Sequence, residues 1–296
     1  MTETPCGKVA AIGSFDGVHR GHQAVLNTVS QLALTNNKEA IAITFDRHPL
    51  SVIAPARTPH LISTPRRRNY LIGKTGVSPQ ELTFDNRLRN MTASEWMAHM
   101  KNEMMVDILV MGYDNTFGSD GVTMSIADYK KEGERLGIRV EEAPIVEGVS
   151  SSAIRKAITD GEIERAAQML GRDFHLPGIV RHGNKIGRTM GFPTANLKVS
   201  EELVIPKKGV YAAMAKLPDG SEHAAMVNIG TRPTLKRGDN LMIEAHILDW
   251  EGDLYDKNIR IYFKKRLRDE EEYKTIDQLR LQLKKDKEET LKSLTP

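Results

Sequence analysis

The stretch that decides the fold is Gly13-Ser14-Phe15-Asp16-Gly17-Val18-His19-Arg20-Gly21-His22, near the start of a chain of 296 residues. The apolar run before it, residues 9–12, has no polar alternation, which is typical of a strand buried on both faces. After it, apolar residues recur at helical spacing over residues 25–33, so the chain should pass from strand to helix within this stretch. A second strand is predicted over residues 39–45. The sequence therefore predicts a strand–helix–strand unit.

The turn into this helix has the features of a phosphate-binding site. Backbone N–H groups without helical partners and the helix dipole both favour an anion at a helix N-terminus. His19 and His22 lie three residues apart around Gly21, so both can donate hydrogen bonds to phosphate oxygens from one side of the first turn. The spacing is neither GxGxxG nor GxxxxGK[ST], which disfavours hydride transfer and P-loop chemistry and favours nucleotidyl transfer. The alternative is that both histidines only cap or pack the helix start.

A second candidate phosphate site lies at residues 149–155, Val-Ser-Ser-Ser-Ala-Ile-Arg. Serines directly before a helical pattern are typical N-caps. The same geometry presents N–H groups, the hydroxyls of Ser151 and Ser152, and Arg155 one turn into the helix, where a guanidinium can bind two phosphate oxygens at once. Two such elements in one domain indicate phosphate chemistry more strongly than either alone.

Composition limits the class of protein. The chain is long enough for two domains, each with its own core. The net charge of +3 comes from interspersed charges, so it does not require a nucleic-acid partner. The only cysteine, Cys6, excludes an intramolecular disulfide and a cysteine-cluster metal site, which fits a reducing cytoplasm. No run approaches the length of a membrane span and the N-terminus lacks an apolar core, so we expect neither anchor nor signal peptide.

The rest of the first half alternates strand and helix patterns. Further strands are predicted over residues 81–84, 106–111 and 138–146, and a helix over residues 93–104. The basic cluster at residues 65–68 is predicted to be a solvated helix start. These patterns indicate an α/β domain with a mostly parallel sheet.

The pattern changes after a helix stop near residue 172, where many short strands separated by turn residues begin. An antiparallel barrel closes its edges and suits this pattern. A final helix is predicted from a possible capping box at Thr275 and Gln278. The candidate strands are residues 176–182, 209–217, 222–229, 242–250 and 259–266.

Two segments of this half could carry chemistry. Residues 183–196 hold three glycines that allow backbone to approach a ligand, and they end in hydroxyl and amide oxygens suited to a hard cation. By itself, this pattern indicates a flexible loop. In a strand, Glu244 and His246 would share one face, where a carboxylate could accept the proton of a substrate hydroxyl. The spacing alone favours two solvent-facing polar residues on an edge strand.

The first half resembles a known family. Residues 13–22 resemble the HxGH motif of the nucleotidyltransferase superfamily, in the form GxFDGVHxGH of bacterial bifunctional riboflavin kinase/FMN adenylyltransferases. Residues 150–155 resemble the Ser-Ser-[Thr/Ser]-x-Ile-Arg element of the same superfamily, with Ser152 in place of the commoner threonine. The two elements occur in the expected order.

Two further loops resemble loops of this family, and each differs from the family pattern at one residue. Residues 112–118 resemble the Gly-x-[Asn/Asp]-Phe-x-Phe-Gly loop that contacts flavin or nucleotide; Asp114 and Phe117 match it, and Asn115 replaces the usual aromatic residue. The loop at residues 45–49 is similar to a Phe-x-Pro-His-Pro loop, with Arg47 in place of the first proline.

The second half resembles riboflavin kinase, whose glycine-rich flap and Pro-Thr-Ala-Asn segment bind ATP and magnesium. That likeness makes Thr194 and Asn196 the magnesium-side residues. The run Glu-x-His-Ile-Leu at residues 244–248, followed by residues 253–255 and 267–270, matches the kinase in order and implies that Glu244 is the general base.

The resemblance implies a Rossmann-like nucleotidyltransferase domain over residues 1–172, followed by a kinase domain over residues 173–296 with a six-stranded antiparallel barrel and a C-terminal helix. It implies two ATP-dependent reactions, the conversion of riboflavin to FMN and of FMN to FAD. The implied metal cofactor is Mg²⁺ or Mn²⁺. The expected partners are these small substrates, in the cytoplasm, without nucleic acid or membrane. Alternatives are adenylylation of another phosphate, a riboflavin kinase with a degenerate first domain, and a non-catalytic flavin-binding regulator.

The implied site residues fall into four groups. The catalytic residues are His19, His22, Arg155 and Glu244. The nucleotide-binding residues are Gly13, Phe15, Asp16, Gly17, Ser151, Ser152, Gly183, Lys185 and Gly187. The flavin-binding residues are Asp114, Phe117 and Arg268, and the metal residues are Thr194 and Asn196.

Overall fold

The computed structural model describes residues 7–113, 115–182, 191–232 and 240–295. The chain divides into two compact units, Met1–Ser151 and Ser152–Pro296. Within the described residues, none of the helices combines the length and the apolar character needed to cross a membrane. The domain boundary expected after residue 172 stays a prediction.

The first unit contains a five-stranded sheet in the order β3-β2-β1-β4-β5, and every pair in it is parallel. This confirms the predicted parallel α/β domain. From β1 the chain adds β2 and β3 on one side of the sheet and then returns to add β4 and β5 on the other side. The strand order therefore reverses at β1. The strands are β1 (Lys8–Ile12), β2 (Glu39–Phe45), β3 (Ser78–Leu82), β4 (Val106–Met111) and β5 (Arg139–Glu142).

The absence of polar alternation in β1 follows from burial on both faces. Val9 and Ala11 pack on one side with apolar residues of α1 and α3, whereas Ala10 and Ile12 pack on the other with residues of α5 and α6. The helices of this unit are α1 (Arg20–Thr35), α2 (Leu50–Ile53), α3 (Pro65–Gly73), α4 (Asn86–Asn90), α5 (Ala93–Asn102) and α6 (Ile126–Leu136).

The third strand lies a few residues earlier in the sequence than predicted. It was expected at residues 81–84 and lies at Ser78–Leu82, so it includes Pro79. A proline lacks the N–H that a central strand needs, but β3 is the edge strand next to β2, and an edge tolerates it.

The second unit contains a closed barrel in the order β10-β7-β6-β11-β8-β9, with antiparallel pairing throughout. This confirms the predicted six-stranded barrel. Tyr211 and Phe263 are fully buried inside it, with ring centroids 5.3 Å apart. The strands are β6 (His175–Arg181), β7 (Ala195–Lys198), β8 (Gly209–Lys216), β9 (Glu222–Arg232), β10 (Asn240–Ile247) and β11 (Asn258–Arg268).

Three helices accompany the barrel along the chain. Helix α7 (Ser151–Asp160) starts at the division between the units, α8 (Ile163–Leu170) follows it, and α9 (Ile276–Leu294) is the expected C-terminal helix. The Thr275 hydroxyl accepts the Gln278 N–H at 3.2 Å, so Thr275 caps α9 at the predicted position.

Strand β7 was not among the candidate strands. Ala195–Lys198 lies at the end of the glycine-rich segment that the sequence marked for ligand binding, yet it pairs with both β6 and β10. The strand has four residues, and only Leu197 is buried. So short a segment shows too little hydrophobic alternation to be detected in the sequence.

Candidate active site

The glycine-rich turn after β1 adopts an unusual backbone. Phe15, Gly17 and Val18 have φ angles of 47°, 77° and 40°, in the left-handed region. Such a conformation is rare for a β-branched residue and persists only where the surroundings impose it, most often at functional sites. A Cβ at position 17 would lie 2.9 Å from Cγ2 of Ile62, so this position requires glycine on two grounds.

Asp16 holds this turn against the next loop. Asp16 as a whole is 3% exposed, and its carboxylate accepts the backbone N–H groups of Ile62 at 3.0 Å and Ser63 at 3.2 Å. The Gly17 N–H in turn donates to the Ser63 hydroxyl at 3.2 Å. Asp16 therefore shapes the turn, and its expected contact with nucleotide stays a prediction.

The two histidines lie together at the start of α1. His19 is the N-cap, and its Nδ1 accepts the backbone N–H of His22 at 3.3 Å. The rings stack with centroids 3.6 Å apart and planes inclined by 17°. Because Nδ1 of His19 is an acceptor, the proton of the neutral ring is on Nε2, which is then a donor of the kind that phosphate accepts. The capping role and a phosphate-binding role are therefore compatible.

The serine turn meets the glycine-rich turn within the first unit. The Ser151 hydroxyl donates to the backbone carbonyl of Asp16 at 3.1 Å. A Cβ at Gly21 would lie 3.8 Å from the Val149 carbonyl oxygen, so the turn also runs close to the start of α1. The part of the serine turn that belongs to the first unit, up to Ser151, therefore lies beside the glycine-rich turn. Ser152 and Arg155 follow on α7.

A cavity of about 200 Å³ opens at the carboxyl ends of β1, β2 and β4. In open parallel sheets, ligands bind at this edge where the strand order reverses. Asn115, which departs from the family pattern, donates to the Ile12 carbonyl at 2.6 Å and so ties the β4 loop to the end of β1. The cavity is lined by Ile12, Gly13, Ser14, Phe45, His48, Pro49, Asn115, Thr116 and Phe117.

Phe117 is fixed by its neighbours, and Asp114 lies outside the described residues. The Phe117 ring packs on Tyr129 with centroids 4.8 Å apart, and the Tyr129 hydroxyl donates to the Phe117 carbonyl at 2.6 Å. Burial raises the pKa of Tyr129, so it remains a neutral donor. The loop therefore presents Phe117 to the cavity from a fixed position.

Arg68 corrects the expectation of a solvated basic cluster. Arg68 is only 7% exposed. Its guanidinium donates a hydrogen bond of 2.7 Å to the carboxylate of Glu81 on the edge strand β3. Burial lowers the pKa of Arg68, while attraction to Glu81, Asp16 and Asp46 opposes that shift. The charge run at residues 65–68 gave no sign that its last member faces inward.

In the barrel, Glu244 lies in a row of polar residues. It is directly opposite Asn196 on β7 and Asn228 on β9. Directly opposed residues of antiparallel strands share one face, with Cβ atoms about 5 Å apart. Since Ile243 and Ala245 are buried on the inner face, this row lies on the outer face.

Asn228 and Glu270 were not among the predicted site residues. The Asn228 amide donates to the Glu270 carboxylate at 3.4 Å, and that carboxylate occupies the space where a Cβ of Gly230 would stand. The row therefore ends in a second carboxylate. No local sequence pattern marked Asn228, because its place opposite Glu244 depends on the pairing of β9 with β10.

Arg268 is held by the C-terminal helix. Its guanidinium contacts the Asp286 carboxylate through Nε at 3.0 Å and Nη2 at 2.7 Å, and Asp286 is 2% exposed. Although burial disfavours its charge, the contacts with Asp286 raise the pKa of Arg268. The guanidinium is thus a permanent cation that joins β11 to α9, and its expected flavin contact stays a prediction.

A cavity of about 400 Å³ opens at one end of the barrel. Its apolar part is formed by Val180, Ala245 and Ile247. An apolar lining that also carries polar side chains, here Thr194, Glu251 and Asp253, suits a small organic ligand with a polar end. The rim is formed by Pro193, Thr194, Ala195, Trp250, Glu251, Gly252, Asp253, Leu254 and Tyr255.

The predicted flap residues Gly183, Lys185 and Gly187 lie outside the described residues. Thr194 is exposed at the cavity rim, and Asn196 is partly buried beside Glu244. Across the four described ranges, no group of three or more His, Cys, Asp and Glu side chains could hold a metal ion.

Two family models match the chain. The model described as FAD synthetase matches residues 1–155, and the model described as riboflavin kinase matches residues 170–294. The two matches follow one another along the chain in the order that the motifs predicted.

Relatives match over nearly the whole length. A bifunctional riboflavin kinase/FMN adenylyltransferase of Listeria monocytogenes is 34% identical, over 97% of this chain and 92% of that protein. Proteins of the same description from Bacillus subtilis and Escherichia coli are each 32% identical, over 99% and 95% of this chain and 94% and 90% of those proteins.

A solved structure from Streptococcus pneumoniae, described as a macrolide-efflux protein, has a TM-score of 0.89 and 32% identity to this chain. The match covers 97% of this chain and 94% of that one. The fold is therefore shared, whereas the description differs from those of the relatives matched by sequence.

Proposed function

This chain belongs to the bifunctional riboflavin kinase/FMN adenylyltransferase family, and we propose that it makes FAD from riboflavin in two steps. In the first, ATP phosphorylates the terminal ribityl hydroxyl of riboflavin, giving FMN and ADP. In the second, AMP from another ATP is joined to the FMN phosphate, giving FAD and pyrophosphate. The observation that carries the proposal is that each half of the chain matches the family model for one of the two activities.

In the kinase step, Glu244 acts as the general base. The ribityl hydroxyl must lose its proton as its oxygen bonds to the γ-phosphorus of ATP and the bond to ADP breaks, and a nearby carboxylate can accept that proton. The place of Glu244 between Asn196 and Asn228 supports this role, because both amides can hold the carboxylate in one orientation.

Thr194 and Asn196 are the residues that would hold Mg²⁺, or Mn²⁺. The set fits a hard cation by its chemistry, because it offers a hydroxyl and an amide oxygen, the latter on the residue directly opposite Glu244, and Mg²⁺ in ATP sites takes few protein ligands together with phosphates and water. When bound, the ion would neutralise charge on the phosphate oxygens. We assign Gly183, Lys185 and Gly187, which lie outside the described residues, to nucleotide binding, as the resemblance implies.

In the adenylyl transfer step, no proton has to be removed. The FMN phosphate is already an anionic nucleophile, so an oxygen of it can attack the α-phosphorus while pyrophosphate leaves. The protein then has to position the two phosphates and stabilise the spreading negative charge. We assign that role to His19, His22, Ser151 and Arg155.

The remaining predicted residues would bind the rest of the substrates. The location of the cavity beside Gly13 and Phe117 supports a nucleotide or flavin at the end of β1. We further infer a cytoplasmic enzyme that acts on small molecules, with the functional division after residue 172. The other assigned contacts are Phe15, Asp16, Gly17 and Ser152 to nucleotide, and Asp114 and Arg268 to flavin.

A direct test incubates the purified protein with riboflavin, ATP and Mg²⁺ and separates the flavins by chromatography. The proposal predicts FMN followed by FAD. FMN without FAD would indicate a riboflavin kinase with a degenerate first domain. Absence of both products would overturn the enzymatic proposal and favour a flavin-binding protein.

A further inference from the structure

His246 makes a contact that ties two segments far apart in sequence. Its Nδ1 lies 2.7 Å from the backbone carbonyl oxygen of Pro193. A carbonyl oxygen only accepts hydrogen bonds, so Nδ1 carries the proton and donates it. The His246 ring also packs edge-on against Phe192, with centroids 5.2 Å apart. One side chain of β10 therefore holds the segment that leads into β7.

This contact lies just beyond the end of the strand pairing. Backbone pairing of β7 with β10 joins Leu197 to Ile243, Asn196 to Glu244 and Ala195 to Ala245, and stops there. Continuing the register by one step would place Thr194 opposite His246. The imidazole thus holds the segment just before β7 by a side-chain hydrogen bond where the backbone ladder has ended. Thr194 is flanked by this bond on one side and by the last ladder pair on the other.

The environment favours the neutral, donating form of the ring. Burial lowers the pKa of His246, and the nearby Lys287 acts in the same direction, while the Pro193 carbonyl and Asp249 oppose the shift. A neutral imidazole with its proton on Nδ1 keeps the bond to Pro193 at neutral pH without adding a charge beside Glu244.

We propose that His246 is a positioning residue of the kinase half, which holds the Pro193 carbonyl so that the Thr194 and Asn196 oxygens face the metal-bound phosphates of ATP on the side where Glu244 lies. The inference rests on the proposed function of this half. It deepens that function, because His246 shares a strand face with Glu244 yet acts through another segment. Residues that orient metal ligands typically change metal affinity or activity by 10–100-fold when they are replaced.

The test compares two substitutions that separate the donor from the ring. His246→Asn keeps an N–H donor on the atom that corresponds to Nδ1, whereas His246→Phe keeps a ring against Phe192 and loses the donor. His223→Phe is the matched control, since His223 lies at the start of β9 and contacts Ser221 of its own hairpin. Binding of ADP is measured by calorimetry with and without Mg²⁺, and KM for ATP and kcat are measured for riboflavin phosphorylation.

We expect His246→Phe to weaken Mg²⁺-dependent ADP binding and to raise KM for ATP by roughly 10-fold or more, with a smaller change in kcat. ADP binding without Mg²⁺ and FAD formation from supplied FMN should match the parent. His246→Asn should recover most of the loss, and His223→Phe should show none. If His246→Phe fails to fold, His246→Gln, which moves the donor by one methylene, replaces it in the comparison with His246→Asn.

Three results would overturn the inference: parental Mg²⁺-dependent binding in His246→Phe, equal losses in His246→Phe and His246→Asn, or an equal loss with and without Mg²⁺. Absence of riboflavin phosphorylation in the unaltered protein would instead overturn the proposed function. The two failures are distinguishable, because ADP binding to the variants is measured without any turnover.

Discussion

Glu244 and Asn196 are directly opposed in the antiparallel pairing of β10 with β7, on the outer face of the barrel. The resemblance assigned them to different tasks, one to proton transfer and one to the metal. Under the proposed function, this pairing would bring the proton acceptor and the metal ligand together, where the substrate hydroxyl and an ATP phosphate would have to meet. The backbone ladder of a closed barrel fixes this relationship, so it does not depend on loop conformation.

Glu244→Gln should abolish FMN formation and leave FAD formation from supplied FMN unchanged. The amide keeps the size of the side chain but cannot accept the hydroxyl proton, and a general base contributes roughly 10²–10⁴ in rate. The measurement is the initial rate of each reaction. Glu222→Gln, at the start of β9 and paired with Lys216, is the control and should retain both rates. Unchanged riboflavin phosphorylation in Glu244→Gln would remove Glu244 from the mechanism.

His22→Ala should have the reverse effect. Loss of one group that stabilises transition-state charge costs about 10²–10³ in rate, so FAD formation from FMN should fall while riboflavin phosphorylation persists. His99→Ala, on α5 in the same unit, serves as the control for removal of a partly buried histidine. A His22→Ala protein with the parental rate of FAD formation would contradict the assignment.

Gly17→Ala should destabilise the first unit and impair FAD formation. Alanine would be strained at a φ of +77° and would bring a methyl group against Ile62. Gly76→Ala is a close match, because Gly76 has the same φ and its Cβ would meet only the Ser30 hydroxyl at 3.3 Å. Both changes should cost about 1–2 kcal/mol in backbone strain. Only Gly17→Ala should also clash with Ile62 and lower the rate of FAD formation. Equal losses of unfolding free energy and equal rates of FAD formation in the two variants would contradict this.

Asp286→Ala should strongly destabilise the second unit. It removes one partner of a buried pair and leaves the Arg268 charge without its carboxylate, which typically costs about 3–5 kcal/mol. Asp160→Ala, which removes an exposed pair with Lys156 on α7, should cost less than about 1 kcal/mol. Urea unfolding followed by circular dichroism measures both. A similar small loss for the two variants would show that the Arg268–Asp286 pair does not hold α9 to the barrel.

Much of the fold was predictable because burial leaves a periodic trace. The unalternating run in β1 indicated a central strand, and β4 was predicted at its observed bounds of Val106–Met111. Pairing across the barrel leaves no such trace. Strand β7 is short, and the opposition of Asn196 and Glu244 depends on partners 48 positions apart in the numbering, so neither could be read from local pattern.

The candidate site divides in the same way. The glycine-rich and serine turns were recognisable as motifs, and the Ser151 contact with the Asp16 carbonyl brings them together. Arg68 and His246 were missed or left without a role, because their partners, Glu81 and the Pro193 carbonyl, come from other segments of the chain. A charged or polar residue in an exposed pattern gives no local indication that a distant strand will cover it.

Under the proposed function, one chain carries two separable reactions, and the FMN made by its second half is the substrate of its first half. The most direct measurement supplies riboflavin, ATP and Mg²⁺ to His22→Ala, to Glu244→Gln and to an equal mixture of the two, and follows the flavins over time. We expect FMN alone from His22→Ala, no product from Glu244→Gln, and FAD from the mixture. FAD from either variant alone at the parental rate, or no FMN from His22→Ala, would contradict it.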